Sequence, residues 1–312
     1  LSQQQYQRQL SLVVADDSGD GLDLSSLRTT FTIRRAALEA PNNAEFVIYN
    51  VAEQTAQRIN DDFERLEFKA GYPDNFGTVL KGDIQEVQIG KDENNVDTFI
   101  KIYAGDGDTA YNRAIVNKSL APGATRRDAV NASLEAMEPY GVTAGSIQVD
   151  NTITYPGGKV LQGMARDVIR KVADTEESDW SIQDGGLQIV PKSSFLPDPV
   201  IVLNSKTGLI GRPEQTENGI NARCLLNPFI KPGTRVQIDQ ASINQITAAG
   251  FGRRESVLAP TPITSDGFYK VLMVDFVGDS RGRDFYADLV LNSAIATSGS
   301  SYLSKNTLSI ID

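Results

Sequence analysis

The chain has 312 residues, 40% of them apolar and 22% charged, a balance that supports a packed core and excludes wholesale disorder. Thirty Lys and Arg against forty Asp and Glu leave a formal charge of −10, which disfavours sequence-independent binding to a phosphate backbone. With no histidine and a single cysteine, the composition excludes Ser-His-Asp and Cys-His catalysis, His-ligated zinc, thiolate metal clusters and any intrachain disulfide.

The first hundred residues alternate in the manner of half-buried strands. Leu10, Leu12 and Val14 form one run, Leu27, Thr29, Phe31 and Ile33 a second, and Phe46 with Ile48 a third. Asn50, with Glu53 three residues on, predicts a helix N-cap, and Val51, Ala52, Thr55, Ala56 and Ile59 supply the helical stripe. Strand character returns at Leu66, Phe68 and Ala70. It continues through Thr78–Leu80 to Ile84, Val87 and Ile89, and resumes at Val96–Ala104 after the polar turn Asp92-Glu93-Asn94-Asn95.

Helices enter in the middle of the chain. Thr125 and Asp128 cap a helix with the stripe Ala129, Val130, Ser133, Leu134 and Met137, stopped by Pro139 and Gly141. A second helix is expected directly after Pro156-Gly157-Gly158, carrying Val160, Leu161, Met164, Ala165, Val168, Ile169 and Val172 on one face. Trp180 and Ile182 then face Leu187 and Ile189 across Asp184-Gly185-Gly186, the pattern of a tight hairpin with Trp180 as a core anchor. Pro191, Pro197 and Pro199 mark a connector into Val200–Leu203.

Strands dominate again from residue 201. Ile220, Ala222, Cys224 and Leu226 alternate, which places the thiol in the core; Val236 and Ile238 follow Pro232-Gly233. Val271 with Met273 and Leu272 with Val274 and Phe276 predict a strand buried on both faces, and Phe285, Ala287, Leu289 and Leu291 alternate once more. Residues 293–312 keep Leu308, Ile310 and Ile311 in a Ser-, Thr- and Asn-rich stretch that reads equally as a tail that docks on a partner and as a frayed terminus. No run of about 18 uncharged apolar residues occurs, and the opening Leu1–Arg8 lacks the layout of a secretory signal, so no stable membrane association is expected.

Three motifs invite a chemical reading. Gly278-Asp279-Ser280-Arg281-Gly282 fits G-x-S-x-G, yet a strand is expected after it and no imidazole exists to take the serine proton. It reads instead as a strand-to-strand turn in which Asp279 accepts local N–H groups and Arg281 reaches a carboxylate. Asp16, Ser18, Asp20 and Gly21 open like a calcium loop, but Leu27 stands where a bidentate Glu is needed, and a solvated acidic turn is expected. Gly105-Asp106-Gly107-Asp108 is read in the same way. No cofactor or metal is expected. Forty carboxylates leave a glycan-binding or glycan-hydrolysing module with paired carboxylates as the rival reading.

Several stretches together resemble a known family. Phe46-Val47-Ile48-Tyr49-Asn50-Val51-Ala52, then Leu66–Tyr72 with Gly71 and Tyr72, then Gly77–Ile84 with Gly82, resemble the first domain of phage baseplate hub proteins from contractile tails. Val277–Leu289, with Gly278, Asp279, Arg281, Gly282 and Tyr286, resembles the closing turn of the same proteins, although Phe276-Val277 stands where similar chains often carry histidine. The resemblance implies a mainly β fold with an α+β insert: a tube-like β-barrel domain over 1–105, an α+β module over 106–200, a second tube-like barrel over 201–292 and a tail over 293–312. It implies a non-enzymatic structural virion protein of the tail baseplate, assembled in the host cytoplasm. The expected partners are two further copies in a homotrimer, the hexameric tail tube protein, the trimeric cell-puncturing spike and other baseplate proteins, with DNA passing through the channel without specific binding. The hairpins Phe76–Ala104 and Phe268–Leu291 are expected to be equivalent barrel elements.

Overall fold

The computed structural model describes residues 7–16, 19–91, 97–216, 219–239, 243 and 266–293. The predicted turn at 92–95 and the tail from 294 lie outside the described residues. The first segment runs β1 (Gln9–Ala15), β2 (Gly21–Asp23), β3 (Thr29–Ala36), β4 (Asn43–Tyr49), α1 (Glu53–Asp62), β5 (Arg65–Gly71), β6 (Gly77–Lys91) and β7 (Thr98–Gly105). The middle holds α2 (Asp108–Arg113), β8 (Ile115–Leu120), α3 (Arg126–Met137), β9 (Thr143–Ile147), β10 (Lys159–Met164), α4 (Ala165–Thr175), β11 (Ser178–Gln183) and β12 (Gly186–Pro191). The last segment adds β13 (Ile201–Leu203), β14 (Leu209–Thr216), β15 (Gly219–Leu225), β16 (Arg235–Ile238), β17 (Phe268–Asp279) and β18 (Phe285–Asn292). The fold is mainly β with small helical elements, as the alternation predicts.

The first and last segments build one sheet. Its order among the described strands is β14-β15-β18-β17-β3-β4-β7-β6-β5-β1-β2, with β16 on β17 and β13 on β16. The join is β17. Its start, Phe268–Lys270, pairs with β16, and its later part, Met273–Asp279, pairs antiparallel with β3. Inward residues of both segments enter a shared apolar cluster that includes Leu12, Phe31, Phe46, Phe68, Cys224, Phe276 and Phe285. Phe31 contacts both Phe68 and Phe285, at ring separations of 4.6 and 6.0 Å, so one aromatic side chain touches both halves. Burial raises the Cys224 thiol to about 12, as expected of a packing residue.

The middle segment has its own core, in which α3 and α4 cover the β11–β12–β9 sheet and Trp180 is buried beside Tyr111. The β11–β12 hairpin keeps the predicted register, Trp180 opposite Ile189 and Ile182 opposite Leu187. The α3 cap is also as read: Asp128 N–H donates to Thr125 Oγ1, and Thr125 N–H donates to the Asp128 carboxylate.

Three expectations are corrected. Asn50 is not an N-cap: α1 starts after Ala52, while Asn50 takes φ +59° and donates its backbone N–H to Thr98 O, so the residue forms the turn out of β4 and lies before the helix. The helix expected after Gly158 begins only at Ala165, because Lys159–Met164 pairs with β8 and Gly163 sits at φ +123°, outside helical space. Of that stretch Leu161 turns inward, and Val160 stays 69% exposed. Finally, β17 is not buried on both faces. A bulge between Val271 and Met273 shifts its phase, so Val271, Val274 and Phe276 share the core while Leu272 and Met273 are half-buried.

Candidate functional site: the closing turn and the module seam

The turn between β17 and β18 is built as a clamp. Asp279 N–H donates to Asp284 O and closes the hairpin. Its carboxylate accepts Arg281 N–H at 2.8 Å and, on the other oxygen, Arg28 Nη2 at 2.8 Å. The Arg28 hydrogen bond holds the Asp279 carboxyl below its ordinary range. Ser280 exchanges two bonds with Thr29: its N–H donates to Thr29 O, and its hydroxyl oxygen accepts Thr29 N–H. Arg281 departs from expectation, since its guanidinium donates to Ser26 O rather than to a carboxylate. The carboxylate of the turn is its own Asp279, already held by Arg28. From the chain start, Arg8 donates to Gly282 O and Arg283 O, and its guanidinium lies 5.1 Å from the Phe285 ring centroid. The last hairpin is thereby fastened to the starts of β1 and β3.

Most of the residues singled out in the sequence meet here. Arg28 stacks over the Tyr49 ring at 5.0 Å, and Tyr49 N–H donates to Arg28 O, linking the Tyr49–Asn50 turn to Asp279. Tyr72 is buried edge-on against Phe285, and Gly71 before it takes φ +152° against the Asn75 carbonyl. Gly278 and Gly282 are required by space: a Cβ on the first would strike the Phe31 ring, and on the second the Asp279 carboxylate. Two residues stand apart. Tyr286 lies under Arg223 on the outer face, and Gly82 packs against the Gly105 carbonyl. In the acidic turn after β1, the Asp16 carboxylate accepts Asp20 N–H and Asp20 pairs with Arg58, whereas Ser18 lies outside the described residues.

The second constellation was not legible beforehand. The turn between β11 and β12 inserts into the sheet at the end of β3. Arg35 is fully buried and donates to Gln183 Oε1, Val79 O and Asp184 Oδ2 at 2.8–3.0 Å. Lys231 reaches the same Asp184 oxygen at 2.7 Å. Asn42 donates to Ile182 O and Gln183 Oε1, and Gln183 donates back to Ala36 O. Lys270, also buried, donates to Pro191 O and to Asp179, and burial lowers its proton affinity. Asp106 is not in a solvated turn. It is fully buried and its carboxylate accepts the Asp184 and Gly185 N–H groups. Burial, with the Asp184 charge added, raises it to about 7 although the Arg35 charge opposes. The arrangement holds one body against another. Ser280 Oγ is engaged by a backbone N–H, and Trp180 lies in a core instead of along a cleft.

The same architecture recurs in solved structures at low identity. A tail protein from Neisseria meningitidis MC58 aligns with a TM-score of 0.58 and 11% identity, over 94% of this chain and 99% of that one. The 43 kDa tail protein of prophage MuSo2 from Shewanella oneidensis gives 0.59 and 8%, over 93% and 98%. The E. coli c3393 protein, a type VI secretion component described as similar to the T4 bacteriophage tail proteins gp27 and gp5, gives 0.53 and 9%, over 92% and 76%. No curated protein matches the sequence significantly. These likenesses show the fold; the family is shown by the sequence itself, since the family model described as Baseplate hub gp41 matches residues 13–289, a span that includes both halves of the sheet, the seam and the closing turn. The chain therefore belongs to the baseplate hub gp41 family, a structural and non-enzymatic component of the virion tail.

Proposed function

We propose that three copies of this chain form a ring at the centre of a contractile-tail baseplate, each contributing two tube-like lobes, so that three chains present six lobes to the hexameric tail tube and hold the trimeric spike on the opposite side. The observation that carries this reading is the sheet itself. Its two long hairpins, β6–β7 and β17–β18, come from the first and last segments of the sequence and stand in one continuous sheet. Among the described strands, β2 and β14 end the sheet's order and offer edges that neighbouring copies can cover. Exposed Val200, Val202 and Phe229, around a groove of about 860 Å³ that also includes Pro199 and Lys231, are further surface for burial in such a ring. The charge of −10 suits a channel through which DNA slides without adhering. Assembly belongs to the host cytoplasm, before the tail is complete.

Light scattering on the purified chain is expected to give three times 33.9 kDa, and with the spike that mass plus the mass of one spike trimer. A monomer at high concentration in both cases would overturn the ring. Electron microscopy of the particle must place the chain on the central axis, and the two hairpins must superimpose as equivalent elements of two lobes; an off-axis position or a failed superposition rejects the corresponding part.

A further inference from the structure

Around the β11–β12 turn, the carboxyl groups of Asp106 and Asp184 and the cations Arg35 and Lys231 are paired unevenly. Arg35 and Lys231 both bind Asp184 Oδ2, at 3.0 and 2.7 Å. Asp106 has no cation in hydrogen-bond contact among the described residues; its partners are the N–H groups of Asp184 and Gly185 and, at 3.4 Å, the Asn42 amide. Asp184 Oδ1, in turn, is buried without a donor. A fully buried carboxylate without a cation and a buried oxygen without a donor are each costly. They meet where the β11–β12 turn packs on the β7–α2 connection, and the Asp184 backbone already donates to Asp106.

One proton removes both costs. We propose that the seam is a proton-binding site in which the Asp106 carboxyl donates to Asp184 Oδ1, and that loss of this proton loosens the docking of the middle segment on the sheet. The Asp106 oxygens keep accepting their backbone N–H groups, so the proton adds a bond without removing one. Facing charges come from every element at the seam: Arg35 on β3, Asp83 on β6, Asp108 on α2, Asp184 on the hairpin turn and Lys231 after β15, with Arg65, Glu67, Lys81 and Asp16 lining the cleft of about 370 Å³ that leads outward. Of these, the Asp184 charge raises the proton affinity of Asp106 and Arg35 lowers it, while burial is the largest contribution. The Asp106 carboxyl titrates at about 7 in the fold against an ordinary 3.8. The bound proton thus contributes stability that is complete below about pH 4 and is lost as pH rises through about 7.

The test is infrared spectroscopy of the full chain across neutral pH, with thermal melts in parallel. A protonated-carboxyl band is expected at pH 6 that titrates away by about pH 8, together with a melting temperature that falls as pH rises from about 4 and levels off above about 7. Asp106→Asn is expected to abolish the band and flatten the melting profile. Asp184→Asn is expected to keep a protonated carboxyl but to move its titration to lower pH, because a like charge is gone. If Asp106→Asn fails to fold, the wild-type band and the Asp184→Asn shift decide. No titrating band in the wild type, a band that survives Asp106→Asn, or an unmoved titration in Asp184→Asn each overturns the proposal.

Discussion

Asp279 carries its carboxylate between the Arg28 guanidinium and the Arg281 N–H, and its lowered pKa follows from that contact. A group with a depressed folded pKa contributes stability that is present above its unfolded value and lost as pH falls through the folded one. Asp279→Asn is therefore expected to flatten the acid limb of the stability profile below about pH 4, checked by denaturant titrations at several pH values. At Gly278 the argument is steric. Gly278→Ala drives a methyl into the Phe31 ring and is expected to cost about 1–3 kcal/mol in chemical denaturation. The Gly-Asp-Ser-Arg-Gly order was readable because turn chemistry is local. Arg28 was not, because it stands 251 positions away and only chain folding brings it to Asp279.

Among the elements, the β11–β12 hairpin is the most instructive. Its pairing and turn were visible as alternation around Asp184-Gly185-Gly186, yet its destination was invisible, since the receiving groups are Arg35, Asn42 and Asp106 on other segments. Arg35 continues the inward phase of Thr29, Phe31 and Ile33 on β3, and alternation within the strand carries no sign of the distant carboxylate that pairs with it. Arg35→Met leaves Asp184 with only Lys231 and is expected to destabilise the chain by about 3–5 kcal/mol in denaturant titrations, with the emission of the sole tryptophan, Trp180, reporting loss of the middle core. The bulge in β17 and the late start of α4 were missed for a related reason. A one-residue phase shift and a strand that abuts a helix both leave an apolar count unchanged while altering which face each residue takes.

Across the chain as a whole, the shared aromatic contact predicts how damage spreads. Phe31→Ala is expected to cost about 3–5 kcal/mol and to accelerate hydrogen exchange in β4 and β5 and equally in β15 and β18, while α3 and α4, which pack in a separate cluster, keep their protection until global unfolding. Acceleration confined to the first segment would contradict a common core. The linear order of residues was enough to establish a β-rich protein with helices in its middle, a helix cap at Thr125, a hairpin around Asp184-Gly185-Gly186 and the absence of imidazole chemistry, because strand alternation, capping and composition act over a few neighbours. Folding alone determined that β17 pairs with β3 to merge the two ends of the chain, and that Arg35, Asp106 and Asp184 meet in a buried seam. Those contacts depend on which distant surfaces exclude water together, and no local pattern encodes that choice.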